Sequence, residues 1–146
     1  MRLLSCLLLS LSLVIGLAEP RAQARSIGPT GYGDLGTGNC WNHSYMTVTN
    51  CGAGYQNIFW QLPVDNGGAK TVTVSVDIAN GGWARCSAIA VDTWGATSTV
   101  GSVQRHDGSG LVQLTSTGAS VPNGGFLIAQ CDLSQGTSVS AINWNP

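Results

Sequence analysis

Polar and apolar residues alternate without a break in the stretch Thr71-Val72-Thr73-Val74-Ser75-Val76-Asp77-Ile78. The valines and the isoleucine would face one way, and the polar residues would face the other. A period of two is typical of a strand with one buried face, and β-branched residues are favoured in strands. The octapeptide therefore predicts a half-buried β-strand.

Weaker alternation recurs on both sides of this stretch, and no long helical pattern interrupts it. Short strands that are divided by glycine-rich turns are typical of antiparallel β-sheets that pack face to face. We therefore predict an all-β fold, an antiparallel β-sandwich of about seven or eight short strands. The further strand candidates are Tyr45–Thr49, Asn57–Leu62, Trp83–Val91, Thr97–Val103, Leu111–Thr115, Phe126–Leu133 and Val139–Trp144.

The triplet Asn-Gly-Gly occurs three times, beginning at Asn66, Asn80 and Asn123, each time just before a strand candidate. Asparagine and glycine tolerate the positive φ angles that tight hairpins require. The triplet at Asn80 lies between two strong strand candidates. It therefore predicts a β-hairpin at that point.

The N-terminus has the pattern of an export signal: positively charged Arg2, an apolar stretch over residues 3–18, and the small-residue sequence Ala22-Gln23-Ala24. The apolar stretch is shorter than the roughly 20 residues that span a bilayer. We therefore predict cleavage near Ala24 and a secreted or periplasmic protein without a membrane anchor. The predicted segments are a signal peptide at 1–24, an extended N-terminal arm at 25–38 and a single β-sandwich domain at 39–146.

Four cysteines follow the predicted signal peptide: Cys40, Cys51, Cys86 and Cys131. An even number of cysteines in an oxidising compartment indicates two disulfides. Cys86 and Cys131 each lie on the apolar face of a strand candidate, which favours a buried bridge between them. Cys40 and Cys51 would then close a short loop. Because four cysteines allow three pairings, this pairing is a preference among open alternatives.

The charged residues are few and scattered. Nucleic-acid binding and attachment to anionic membranes both need a cluster of cations, and none is present. The surface is instead expected to be neutral and polar, which suits a neutral extracellular ligand. The cations after residue 24 are Arg25, Lys70, Arg85 and Arg105, against six aspartates and no glutamate.

Patterns of catalytic or metal-binding residues are sparse. The stretch His106-Asp107-Gly108-Ser109-Gly110 has the residue types of a hydrolase triad, but neighbours in sequence cannot converge as triad members do, so we interpret it as a polar turn. His43 is expected to be a solvated loop residue. No spacing typical of zinc or EF-hand calcium ligands occurs, although one structural calcium stays an open alternative. We therefore predict no enzyme, no catalytic residue, no metal site and no cofactor.

Aromatic residues are the most suggestive group for binding, because flat rings stack on sugars while nearby polar side chains donate hydrogen bonds. Trp41, in the short disulfide loop, and Trp94, just after a strand candidate, are expected to be exposed. Together with Tyr45 they form the predicted ligand-binding surface. The alternative is that tryptophans fill the core, as is expected for Trp60 and Trp144.

The layout from Cys51 to the C-terminus resembles a loose group of uncharacterised secreted bacterial β-rich proteins. The shared pattern is the Cys51–Pro63 segment, the alternating strand, and two cysteine-bearing strands. This resemblance implies a sandwich with two disulfides and no particular activity. A shorter stretch, Asn66–Val74 followed by Cys86, is similar to α-amylase inhibitors of the tendamistat type. The Trp-Arg-Tyr triplet with which that family blocks amylase is missing here, so no inhibitory residue is carried over.

The sequence as a whole predicts a secreted, non-catalytic domain that binds an extracellular glycan or protein, with carbohydrate as the first choice. One alternative is an inhibitor of a hydrolase that presents the Cys40–Cys51 loop rigidly, because a disulfide lowers the ordering cost of binding. The other is a structural or adhesive subunit whose exposed strand edges join chains together.

Overall fold

The structure of the protein, a computed structural model, describes residues 25–27, 32–33, 40–44 and 47–146. The predicted signal peptide and most of the predicted arm lie outside these residues. Within them no helix is long and apolar enough to cross a membrane. The described elements are ten strands: β1 (Arg25–Ile27), β2 (Tyr32–Gly33), β3 (Trp41–His43), β4 (Val48–Asn50), β5 (Gln56–Leu62), β6 (Gly68–Val91), β7 (Thr97–Val100), β8 (Gln104–Val121), β9 (Phe126–Leu133) and β10 (Ser138–Trp144).

Strand β6 is the centre of the fold, and all of its pairings are antiparallel. Its first half pairs with β10 and its second half with β9 and β7, while β8 follows both halves. The two halves of β6 therefore belong to two layers. In the first layer, β4 and β1 both pair with β10. In the second layer, β5 pairs with β9, and β2 pairs with β5. The buried side chains of both layers form one core, which confirms the predicted antiparallel β-sandwich.

The predicted hairpin at Asn80 is wrong, because β6 continues through Asn80-Gly81-Gly82 without reversing. The partner strand β8 remains paired on both sides, with Ile78 opposite Gly110 and Gly82 opposite Gly108. The extra residues on β6 form a bulge in which Gly81 has a φ of 73°. A bulge bends a strand, and here it leads β6 from one layer into the other. Residue types that are common in tight turns therefore form a bend here, because the long-range pairing of β6 with β8 prevents the chain from reversing.

The predicted polar turn at residues 106–110 is also wrong, because these residues lie within β8. They are exposed and pair with the bulged part of β6. The glycines at 108 and 110 have positive φ angles, which shows that the strand is strongly distorted there. Glycines and polar residues are also typical of turns, which is why the sequence suggested a turn here.

The core confirms the alternation from which the strand was predicted. Each of Val72, Val74, Val76 and Ile78 is at most 2% exposed. Trp60 and Trp144 are also buried, as expected for core tryptophans. The Trp144 indole donates a hydrogen bond to the carbonyl of residue 63 at 2.8 Å, so its polar atom is satisfied inside the protein.

Both preferred disulfides are present. Cys86 and Cys131 are directly opposite each other on β6 and β9, and both are buried. Cys40 and Cys51 bracket the hairpin of β3 and β4, and both are exposed. One bridge therefore ties two strands of the core together, and the other holds a surface hairpin closed.

The fully buried side chain of Asn50 connects this hairpin to the rest of the domain. Its amide donates hydrogen bonds to the carbonyl oxygens of Gly54 and Leu133, at 3.1 and 2.7 Å, and its oxygen accepts one from the Gly52 amide at 2.9 Å. Asn50 therefore fixes residues 50–54 against the end of β9. This segment leads directly into Tyr55.

Replacing Asn50 by alanine is expected to lower the free energy of unfolding by about 2 kcal/mol, because buried backbone groups lose their partners. Chemical denaturation followed by tryptophan fluorescence measures this change. Asn42→Ala is the matched control: Asn42 is exposed on β3, so we expect a change within about 0.5 kcal/mol. Equal effects of the two variants would show that the buried hydrogen bonds are unimportant.

Candidate functional site

The side chains of β5, β9, the second half of β6 and the start of β8 that point away from the core form what we call the outer face. Adjacent strands place these side chains in rows. The pairing of β6 with β9 and β8 fixes the rows, together with the hydrogen bonds between residues 83 and 134. The first row contains Tyr55, Ser134, Trp83 and Asp107, and the second contains Asn57, Asp132, Arg85 and Arg105.

Trp83 is the centre of the first row and is held from several sides. The Tyr55 ring lies 5.7 Å from it, between ring centroids, at an interplanar angle of 43°. The Arg105 guanidinium carbon lies 4.6 Å from the centroid of the indole, in a cation–π contact. The Trp83 backbone amide donates to the Ser134 hydroxyl at 2.9 Å. The indole is therefore positioned before any ligand arrives.

A cleft of about 410 Å³ opens beside this indole, and we call it the Trp83 cleft. It combines two aromatic rings with amide and hydroxyl side chains, and the β6 bulge forms one wall. Close packing requires glycine at position 82, because a Cβ there would lie 2.5 Å from the Ser134 hydroxyl. The lining residues are Gly54, Tyr55, Asn80, Gly81, Gly82, Trp83, Ser134 and Gln135.

The second row is held by a buried carboxylate. Asp132 is 5% exposed and accepts hydrogen bonds from the Arg85 Nε at 2.8 Å and from the Asn57 amide at 2.7 Å. The Arg85 Nη2 also donates to Asp132. This pairing fixes the Arg85 side chain against the sheet and balances its charge.

Arg105 and Asp107 form a second ion pair at the surface, with Nε donating to Oδ2 at 3.0 Å. Their hydrogen bond lowers the pKa of Asp107 and raises the pKa of Arg105. Because both groups are in solvent, the pair contributes little to stability. Both arginines of the outer face thus have aspartate partners, and this balance of charge suits a neutral ligand.

Of the residues predicted from the sequence, Trp94 is 91% exposed, as expected. It lies in the turn between β6 and β7, where one oxygen of Asp92 accepts hydrogen bonds from the amides of Trp94 and Ala96, both at 2.9 Å. Trp41 differs from the expectation, because it is partly buried and packs against the core. Tyr45 lies outside the described residues.

The structure does not bring Trp41 and Trp94 together. The hairpin with Trp41 is fixed through Asn50 to Leu133, at the end of β9. Trp94 follows Val91, which pairs with Phe126 at the start of β9. Eight residues of strand separate the two ends by about 24 Å. A small ligand cannot contact both, and ligand binding by either one stays a prediction.

The sequence reasoning missed the pair Tyr55 and Trp83, although one signal was available. Within the candidate strand Trp83–Val91, Cys86 shares its face with Ala84, Ala88 and Ala90, which points them into the core. Strict alternation then directs Trp83 to the opposite, solvated face. The neighbouring Tyr55 could not be found in this way, because it precedes its strand and reaches Trp83 only through β9.

No protein-family model and no curated protein matches the chain. Solved structures with a similar fold exist, and the three described below have identities of 10–14%. They include the C-terminal CBM6 of LamC, a marine laminarinase from Zobellia galactanivorans, with 14% identity over 85% of this chain and 100% of that chain and a TM-score of 0.51. BiXyn10A CBM1 in its apo form has 10% identity, covers 86% and 97%, and has a TM-score of 0.55.

A third structure is the isomalto-dextranase of Arthrobacter globiformis T6 complexed with panose. It has 14% identity over 84% of this chain and 23% of that chain, with a TM-score of 0.54. At such identities the likeness shows a shared β-sandwich fold. It does not carry individual binding residues from one chain to another.

Proposed function

We propose that this protein is a secreted, non-catalytic domain that binds carbohydrate in the Trp83 cleft. The observation that carries the proposal is the wall of Tyr55 and Trp83 beside the polar side chains of Asn80, Ser134 and Gln135. The C–H faces of a sugar ring pack on aromatic rings, while amides and hydroxyls bond its hydroxyl groups. Two of the structures with a similar fold, the CBM6 of LamC and BiXyn10A CBM1, are named as carbohydrate-binding modules, which supports this choice of ligand.

The residues that line the Trp83 cleft favour binding over hydrolysis. Among the residues that the structure describes, this lining contains no carboxylate, imidazole or thiol. A glycosidase usually needs two carboxyl groups across the bond that it cleaves. The cleft can therefore hold a sugar without providing the groups that would cleave it.

The paired charges of the outer face favour a neutral glycan, and the two disulfides favour an oxidising compartment outside the cytoplasm. We therefore propose an extracellular or periplasmic polysaccharide as the partner. The N-terminal export signal predicted from the sequence is consistent with this location.

The test is retention of the oxidised protein on insoluble cellulose, chitin, starch and peptidoglycan, with soluble laminarin and xylan followed by tryptophan fluorescence. We expect binding to one of these polymers. Absence of binding to all of them by a folded protein would contradict the proposal. It would favour the inhibitor alternative, in which Asn42, His43 and Ser44 of the disulfide-closed hairpin are exposed to a target.

Tyr55→Ala is expected to weaken binding to the retained polymer roughly tenfold, because one of the two rings of the wall is lost. Tyr55 is 65% exposed, so the thermal midpoint should stay nearly unchanged. Isothermal titration calorimetry measures the affinity, and circular dichroism measures the midpoint. Unchanged affinity in this variant would place the sugar elsewhere on the surface.

A further inference from the structure

A second cavity, of about 260 Å³, lies on the outer face directly beside the Trp83 cleft. Its lining comes from the next residues of the same two strands, with Arg85 opposite Asp132 and Ser87 opposite Gln130. Along β6, Arg85 is about 7 Å from Trp83 and Ser87 is about 13 Å from it. We call this cavity the Gln130 pocket; its lining residues are Arg85, Ser87, Val103, Gln130 and Asp132.

The polar groups of the Gln130 pocket are of two kinds: some are held by bonds within the protein, and others have no side-chain hydrogen bond within the described residues. Asp132 holds Arg85 in place, so the positions of these two charged groups in the pocket are fixed before a ligand binds. No side-chain hydrogen bond within the described residues engages the Ser87 hydroxyl or the Gln130 amide, although both residues are half-buried. Half-buried polar groups of this kind bond water or a ligand. They can therefore bond the hydroxyl groups of a sugar without breaking any bond of the protein.

The pocket also has an apolar wall. Val103, between β7 and β8, is 57% exposed and borders the cavity. An exposed valine beside unused donors and acceptors repeats, in smaller form, the combination found in the Trp83 cleft. Residues of β6 line both cavities; β9 contributes to the Gln130 pocket, and Ser134 and Gln135, which follow β9, contribute to the Trp83 cleft. A line through the two cavities therefore runs along β6 and β9.

We infer that the Gln130 pocket is a second sugar subsite and that the ligand is an extended glycan chain whose consecutive units lie along β6 and β9. This inference rests on the proposed function of the Trp83 cleft and adds the class of ligand. A lone terminal sugar fills only the Trp83 cleft. An oligosaccharide continues past the Arg85–Asp132 pair, and its next units bond Ser87 and Gln130.

Calorimetric titration with soluble fragments of the retained polymer, in a length series from the single sugar upward, tests this inference. Affinity of the unmodified protein is expected to rise with chain length until both cavities are filled. Ser87→Ala and Gln130→Ala should each weaken binding of the long fragments roughly threefold to tenfold, the effect of one lost hydrogen bond. Binding of the shortest fragment should not change.

Gln113→Ala is the matched control, because Gln113 is an exposed glutamine on β8, opposite Ser75 in the other layer. It should leave binding unchanged at every length. If affinity does not rise with length, or if both pocket variants bind long fragments normally, the second subsite is overturned while the Trp83 cleft stands. If Trp83→Ala has no effect at any length, the proposed function itself fails.

Discussion

Replacing Trp83 by alanine is expected to weaken carbohydrate binding at least roughly thirtyfold, equal to about 2 kcal/mol. The indole is the largest side chain that lines the Trp83 cleft and is held in place by Tyr55 and Arg105, so a sugar gains stacking without having to order the ring. Retention on the selected polymer should fall to the level of a non-binding protein. Calorimetry with its soluble fragments measures the loss of affinity.

Trp94→Ala is the matched control for this experiment, because it also removes an indole from the surface. Trp94 is 91% exposed and lies beyond the C-terminal end of β6, whereas Trp83 lies inside that strand. If the sugar is bound in the Trp83 cleft, the Trp94→Ala variant should leave both retention and stability unchanged. The reverse result, in which Trp94→Ala abolishes retention and a folded Trp83→Ala variant binds normally, would move the site to the turn between β6 and β7. Trp83→Phe should keep part of the affinity, since it keeps an aromatic ring.

Removing the buried disulfide by the double change Cys86→Ala and Cys131→Ala is expected to lower the free energy of unfolding by about 4 kcal/mol. The bridge spans a sequence separation of 45, and a cross-link of that length restricts the unfolded chain strongly. Such a loss is comparable to the whole net stability of a small domain. Thermal unfolding should shift down by on the order of 15 °C.

The other disulfide provides the comparison. Cys40→Ala with Cys51→Ala opens a bridge with a sequence separation of only 11, and both cysteines are exposed. We expect a smaller loss, about 3 kcal/mol, because a shorter loop restricts the unfolded chain less and no core packing is lost. A larger loss for this pair than for Cys86 and Cys131 would contradict the assignment of the buried bridge as the main cross-link.

The positions of the strands could largely be predicted from the sequence, because alternation is a local property. The stretch Thr71–Ile78 is a strand with its apolar side buried, and Phe126–Leu133 has the predicted bounds. The same rule made Cys86–Cys131 the preferred bridge among three possible pairings, since both cysteines lie on apolar faces, and it left Cys40 and Cys51 as the other pair. The wrong predictions concern segments whose local sequence is compatible with two different structures. Asn80-Gly81-Gly82 suits a hairpin or a bulge, and only the distant partner β8 selects the bulge.

Local alternation was enough to assign the apolar side of each strand and the cysteines on buried faces, because neighbouring side chains of a strand point to opposite sides. The sequence also indicated that aromatic residues were the group to examine for binding. Which of these aromatic residues contact each other depends on how the strands pair in the folded protein. Tyr55 and Trp83 are brought together by the register of β5, β9 and β6, and the bend at Gly81 opens the cleft beside them. Trp41 and Trp94 are held at opposite ends of β9. Register and bending depend on pairing between residues far apart in the chain, and a local pattern does not contain that information.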